Sequence, residues 1–479
     1  MPSRSEPHCS GPISRRRLLE MTGAGFGSLA LTDLLYRESR ASIQQPSFNL
    51  RPKRPHFQPR ARAVIMMMQN GGPSQMDMFD PKPDLQKADG KQHSTKVEMF
   101  QKGSEKNTLM ASPFKFRPYG ASGMEFSEVI PHIGGVADDL CLVRSMHTGH
   151  NNHTEALVMF TTGRLFQGPP SFGSWISYAL GTENQNLPGY IVLRDPAGYN
   201  TSGSLTWTSG WLPALYRGTE FSTQGPPVLN LKSAQPVTAG RQRDNLDFLA
   251  SLNRLHQRNY PNESELEVRI QNYELAARMQ LAATDVLNLE HETNATRTLY
   301  GLDNPQTQSY GLRCLLARKL VEAGVRFVQI HPPVGQPWDS HGNVKTELTK
   351  VCGQTDLPSA GLIRDLKRRG LLDSTVVVWS GEFGRLPVSQ NGTGRDHNRN
   401  AFSLLAAGGG FKAGYIHGAT DEVGYKSVTD RVSVSDFHAT LLHQLGIDHE
   451  RLIYRHGGRD ETLTDPPVTG ARPVHALLG

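Results

Sequence analysis

With 479 residues the chain is long enough for two ordinary domains or for one large α/β domain with insertions, and a composition 20% charged and 37% apolar argues against a disordered or membrane-embedded protein. A formal charge of +6 is modest for this length, and no basic cluster interleaved with aromatics follows the first residues, which argues against nucleic acid as a partner. The four cysteines, Cys9, Cys141, Cys314 and Cys352, match neither a zinc spacing nor a disulfide framework.

At the start, Ser14-Arg15-Arg16-Arg17-Leu18-Leu19 sets paired arginines before a mildly apolar stretch over 21–35, and Ser39-Arg40-Ala41 offers a small-x-Ala cleavage site. This order predicts a twin-arginine export signal over 1–41, delivering the protein to the periplasm or cell envelope. The stretch is too short and too polar for a stable membrane span. Residues 42–60 are proline-rich and polar, as in a linker. One α/β domain is expected over 61–479, with a loop-rich insertion at about 195–300.

Residues 63–68 form an apolar run entering a tight turn at Gln69-Asn70-Gly71-Gly72. Residues 80–125 carry many Lys, Gly and Pro and read as a long surface excursion. Strands are expected at 138–145 and 190–193, with a helix at 152–162. Residues 195–240 hold no sustained period and are expected to lie over the sheet. Strong helix formers predict the longest helix over 265–289, then another over 310–323 running into a strand at 325–330. The β-branched run 375–379 reads as a buried parallel strand, 401–407 is a second apolar run stopped by three glycines, and 435–445 reads as a helix begun by Ser435-Asp436. Such alternation implies a doubly wound, mainly parallel α/β sheet with helices on both faces.

Four polar clusters lie at strand ends or helix starts, where open α/β sheets bind ligands. The first follows 63–68 and contains Asp77 and Asp80; alone it is a glycine turn with solvated carboxylates. The second spans His147 to Glu155. Asn152 and Glu155 have capping spacing, which places His153 and Thr154 in a first helical turn, where free N–H groups favour an anion. A hydroxyl there is well placed as a nucleophile if a metal or base activates it. In the third, Trp338-Asp339-Ser340-His341, a carboxylate and an imidazole suit zinc, manganese or iron, or equally an ordinary Asp–His hydrogen bond. The fourth holds Glu382, Arg385, Asp396 and His397. None has zinc-motif spacing, so the metal case rests on their joint position at one sheet edge.

Residues 366–384 (LKRRGLLDSTVVVWSGEFG) resemble the sulfatase and alkaline-phosphatase-like pattern in which a helix feeds a strand ending in Asp-His-Gly. Residues 153–164 (HTEALVMFTTGR) resemble the segment carrying the sulfatase nucleophile, and 435–447 (SDFHATLLHQLGI) a C-terminal helix of the same families. NGGPSQMDMFDPKP, HNNHTEA, WDSHGN, SGEFGR and DHN, with the twin-arginine start, resemble the exported family called domain of unknown function 1501, within the alkaline-phosphatase-like superfamily. The resemblance implies divalent metal at the strand ends and hydrolysis of phosphate or sulfate esters. It puts Thr154 or His153 in the nucleophile region, Glu382 where a metal-binding Asp stands, and His397 at the late metal-binding His. Asp339 and His341 resemble the earlier Asp/His pair at shorter spacing. Gln69-Asn70 replaces an expected metal-binding Asp, Phe383 replaces a His, and His153 replaces the sulfatase Cys, which excludes a formylglycine mechanism.

The expectation is therefore an exported hydrolase with one divalent metal (zinc, manganese or calcium) held by some of Asp77, Asp339, His341, Glu382, Asp396 and His397. Arg385 would neutralise an anionic ester, such as one on a sulfated or phosphorylated glycan, and Thr154 or water would attack. The alternative is a non-catalytic envelope protein on the same fold, binding glycans or partners through Trp207, Trp211 and Tyr216.

Overall fold

Among the described residues nine strands build the central sheet: β1 (Ala63–Met68), β2 (Leu140–His147), β3 (Tyr190–Leu193), β4 (Thr219–Phe221), β5 (Phe327–Ile330), β6 (Thr375–Ser380), β7 (Phe402–Ala407), β8 (Tyr415–His417) and β9 (Val432–Ser433). Their spatial order is β8-β2-β7-β6-β1-β5-β3-β4, with β9 also paired to β2. β1, β5 and β6 are buried along their whole length, and apart from Gln329 in β5 and the terminal Thr375 and Ser380 of β6 their residues are apolar. The computed structural model describes residues 48–224, 228, 238–260 and 264–479. The expected export signal and residues 42–47 lie outside these, and 48–60 form no helix or strand.

Within the central sheet every described pairing is parallel except those of β7, which runs antiparallel to both β6 and β2. The reversal has a chain-level cause. A parallel neighbour to β6 needs a crossover, usually a helix, and residues 381–401 contain none. That connection stays at the edge where β6 ends and returns directly into β7. His397, near the end of that connection, thereby lies beside Asp339 in the loop after β5.

Helices flank the sheet. The principal ones are α1 (His153–Thr162), α2 (Phe172–Leu180), α3 (Ala239–Asn259), α4 (Ser264–Leu287), α5 (Gln308–Glu322), α6 (Val344–Arg368) and α7 (Val434–Gln444). α7 begins one residue earlier than expected, because Ser433 rather than Ser435 caps it, in a reciprocal capping box with Asp436. The 80–125 excursion is not mere surface. Leu85, Val97 and Leu109 bury with Met76, Leu386, Val388 and Tyr425 in a small second core that holds the excursion against the loop after β6. Cys141, Cys314 and Cys352 are buried free thiols. Among the described residues no helix is long and apolar enough to cross a membrane.

Candidate metal centre

Five segments meet at the sheet edge where β1, β5 and β6 end. β1 runs into Gln69-Asn70-Gly71, and Gly71 has φ +118°; a Cβ there would lie 2.6 Å from the Asp339 nitrogen and 2.8 Å from that of Trp338. Only glycine lets the loop after β5 come this close, and that approach sets Asp339 in place. Gln69 steadies the same loop, its Oε1 accepting Trp338 Nε1–H at 2.9 Å. From β6 comes Glu382, fully buried, whose two oxygens accept the Gly71 N–H at 2.9 and 3.2 Å. The β6–β7 connection supplies His397, and α1 supplies His153 from its first turn. Asn152 caps α1 by accepting the Thr154 N–H at 2.9 Å.

Hydrogen bonds decide which nitrogen of each imidazole is free. His397 Nδ1 lies 2.7 Å from the Asn151 carbonyl oxygen, an acceptor only, so Nδ1 carries the proton. Gln390 Nε2 donates to the Lys102 carbonyl at 2.9 Å, leaving its Oε1, 2.5 Å from His341 Nδ1, as acceptor; His341 takes the same tautomer. His153 Nδ1 sits 2.6 Å from Glu382 Oε1. All three Nε2 atoms then face one oxygen, Asp339 Oδ1: His341 at 2.9 Å, His397 at 3.2 Å and His153 at 3.4 Å. His341 Nε2 and His397 Nε2 are 2.9 Å apart, and His153 Nε2 is buried with no hydrogen-bond partner.

Lone pairs on His341 and His397 Nε2 beside a carboxylate oxygen repel one another unless a cation, whether a metal ion or a protonated His153, lies among them. Histidine ligands whose Nδ1–H is held by a carboxylate, a backbone carbonyl or a side-chain amide are the usual arrangement around a metal. His153, Asp339 and His397 can together hold an ion, as can His341, Asp396 and His397. Burial opposes charge on Asp339, yet the three imidazoles and Arg385 outweigh it and keep the carboxyl far below the usual range. Burial also disfavours the His153 imidazolium, but Asp339 and Glu382 overcome it and raise that pKa. At His397 burial prevails, moving the ring down to about 3, so Nε2 keeps its lone pair.

Other residues singled out in the sequence border this cluster or stand apart from it. Asp77 is fully buried in a two-pronged ion pair with Arg395 (2.7 and 3.1 Å) and also accepts the Ser74 hydroxyl at 2.5 Å; it braces the turn after β1 and offers nothing to a metal. Arg385 is fully buried as well. Its guanidinium donates to the carbonyls of Gly71, Gly72, Trp338 and Arg395 and to Asp339 Oδ1 at 2.6 Å, which spends at least four of its five N–H groups within the protein. Glu382 stands behind His153 instead of among the converging atoms. Asp396 borders the cluster with both oxygens engaged: Oδ1 accepts the His397 N–H at 2.8 Å, and Oδ2 those of Phe100 and Gln101 at 2.7 and 2.8 Å. Thr154 is half-buried in the first turn of α1, beside His153. Phe383 is buried with its ring 4.8 Å from His153 and 4.6 Å from His397, a wall that fixes both imidazoles. Trp207 and Tyr216 are buried and Trp211 is stacked on His456 at 5.3 Å, so these aromatics serve packing. Sequence reasoning placed Asn151 in the second cluster without a role and did not find Gln390, Phe100 or Gln101, whose roles come from long-range contacts that no local pattern marks.

No curated protein matches this sequence. Solved structures similar to the chain include the phosphonate monoester hydrolase SpPMH from Silicibacter pomeroyi, at 12% identity and TM-score 0.33, with 72% of each chain covered. The PsFucS1 sulfatase from Pseudoalteromonas sp. aligns at 13% identity and TM-score 0.35, over 82% of this chain and 69% of its own. The lipoteichoic acid synthase LtaP from Listeria monocytogenes aligns at 10% identity and TM-score 0.31, over 81% and 72% respectively. The family described as protein of unknown function (DUF1501) matches residues 61–478, and the chain belongs to that family.

Proposed function

We propose that this protein is a metal-dependent hydrolase of anionic phosphate or sulfate esters, with one divalent ion held by His153, His341, His397 and Asp339. The observation that carries the reading is the convergence of three imidazole Nε2 atoms on Asp339 Oδ1, each ring held in the ligand tautomer by a separate partner. Three nitrogens and one carboxylate oxygen suit zinc best among common divalent ions. Once bound, such an ion would polarise an ester oxygen and offset its charge.

The remaining chemistry belongs to the chain. The ten-residue α1 points its N-terminus at the site, and its dipole favours an anionic group there. Thr154 in that first turn supplies the hydroxyl nearest the cluster in sequence and is assigned the attack: its oxygen bonds to phosphorus or sulfur as the ester's alcohol leaves with the hydroxyl proton, and water then cleaves the threonyl ester to free the anion. Glu382 holds His153, while Arg385 holds Asp339 and the β1 turn instead of touching substrate. The aromatics of the alternative, glycan-binding reading are packed away, which favours the hydrolase. An export destination and a sulfated or phosphorylated glycan substrate accompany this proposal.

Elemental analysis of the purified full chain, joined to assays on aryl phosphate and aryl sulfate esters with and without chelator, tests it. The expected result is about one divalent ion per chain and ester cleavage that chelator removes and the metal restores. Absence of any divalent metal, with stability indifferent to chelator, would sink the hydrolase reading.

A further inference from the structure

Residues 98–102 cross the metal centre as an exposed strap without helix or strand. Both ends are tied down. The Glu98 N–H donates to the Tyr425 hydroxyl at 3.0 Å and its carboxylate pairs with Arg399 at 3.0 Å, while Gln390 Nε2 holds the Lys102 carbonyl at 2.9 Å. Between the ends, Asp396 Oδ2 accepts the N–H groups of both Phe100 and Gln101. The Phe100 ring stacks on His397, with centroids 4.8 Å apart and planes 17° apart. Gln101 Nε2 lies 3.1 Å from His341 Nε2.

That last contact has one reading in the neutral ring. Gln390 commits His341 Nδ1 as donor, so His341 Nε2 accepts and the Gln101 amide donates. The nitrogen has a single lone pair, which cannot serve an amide N–H and a metal together. We propose that Gln101 gates the metal centre: its side chain caps the His341 nitrogen in the metal-free protein and must leave when a divalent ion binds, which loosens the strap that Asp396 latches. The inference rests on the metal reading above. It also gives Asp396 a use other than ligation, since one carboxylate positions the backbone of His397 and the strap over it.

The test uses the full chain stripped with chelator, zinc as the ion and a chromophoric chelator as competitor, comparing wild type, Gln101→Ala and His397→Ala. A neutral hydrogen bond contributes about 1 kcal/mol net, so its loss from the metal-free state should tighten zinc binding by about fivefold in Gln101→Ala. Trypsin cleavage after the exposed Lys102 gives a second readout, and zinc should speed it several-fold in wild type. Equal or weaker zinc binding by Gln101→Ala, with wild type and not His397→Ala binding zinc, overturns the gate and leaves the metal centre standing. Failure of wild type to bind zinc overturns both.

Discussion

Asp339 Oδ1 receives three imidazoles and a guanidinium, and no other atom at this sheet edge gathers so many partners. Around it the carboxylates separate by what they touch. Glu382 meets a backbone N–H and His153 Nδ1, which makes it a support for a proposed ligand and predicts a graded effect. Losing such a support typically lowers metal affinity about 10–100-fold without removing the site. Glu382→Gln should therefore still reach full metal stoichiometry in excess zinc, with weaker affinity, whereas His341→Ala and His397→Ala should fall short of it at any practical concentration. Titration followed by elemental analysis separates the cases, and equal stoichiometric loss in all three would place Glu382 among the ligands. The distinction was out of reach in the sequence. Asp77, Asp339, Glu382 and Asp396 all read as acidic residues near strand ends, and only three-dimensional contacts show that Asp77 faces Arg395 and Asp396 faces the strap.

The elements that carry the site were mostly legible, because buried strands advertise themselves. β1 and β3 have the expected bounds, and β6 exceeds its expected end by one residue. α6 did not, although its 25 residues make it longer than α4. Gly353, Pro358 and Gly361 interrupt its pattern with residues that ordinarily end helices. Packing explains part of the tolerance, since a Cβ at Gly361 would collide with the Leu299 carbonyl, so the glycine is needed for α6 to lie against that backbone. α6 also carries a pH-sensitive fastening. Asp356 accepts the N–H groups of His132 and Ile133, each at 2.8 Å, and burial raises its carboxyl to about 7. The unfolded carboxyl titrates near about 3.9. Between these values the folded chain binds the extra proton, so this contribution is complete below about pH 4 and is lost as pH rises through about 7. Urea midpoints of wild type should thus contain a component that falls from pH 5 to 8, and Asp356→Asn should flatten it. An unchanged slope in the variant would show that other groups set it.

At the scale of the whole molecule, the centre is assembled from 69–71, 100–101, 151–153, 339–341 and 382–397, segments that meet only when the sheet is formed. β7 is what completes it. Its antiparallel course keeps His397 at the edge shared by β1, β5 and β6, a feature the alternating pattern did not announce but the helix-free connection 381–401 could have. Because the unfolded chain holds no such site, metal affinity becomes folding stability. Zinc at a free concentration 100 times its dissociation constant should stabilise the folded state by about 2.7 kcal/mol. Chelator-treated protein should then melt at a lower temperature than the zinc-loaded protein, with the difference growing logarithmically with free zinc and reversing on re-addition. His397→Ala should melt at one temperature in either condition, since its four-atom convergence is broken. Calorimetry on wild type and variant reads both. A zinc-dependent shift of equal size in His397→Ala would locate the stabilising ion elsewhere, while its loss in that variant alone ties the ion to the edge that β7 closes.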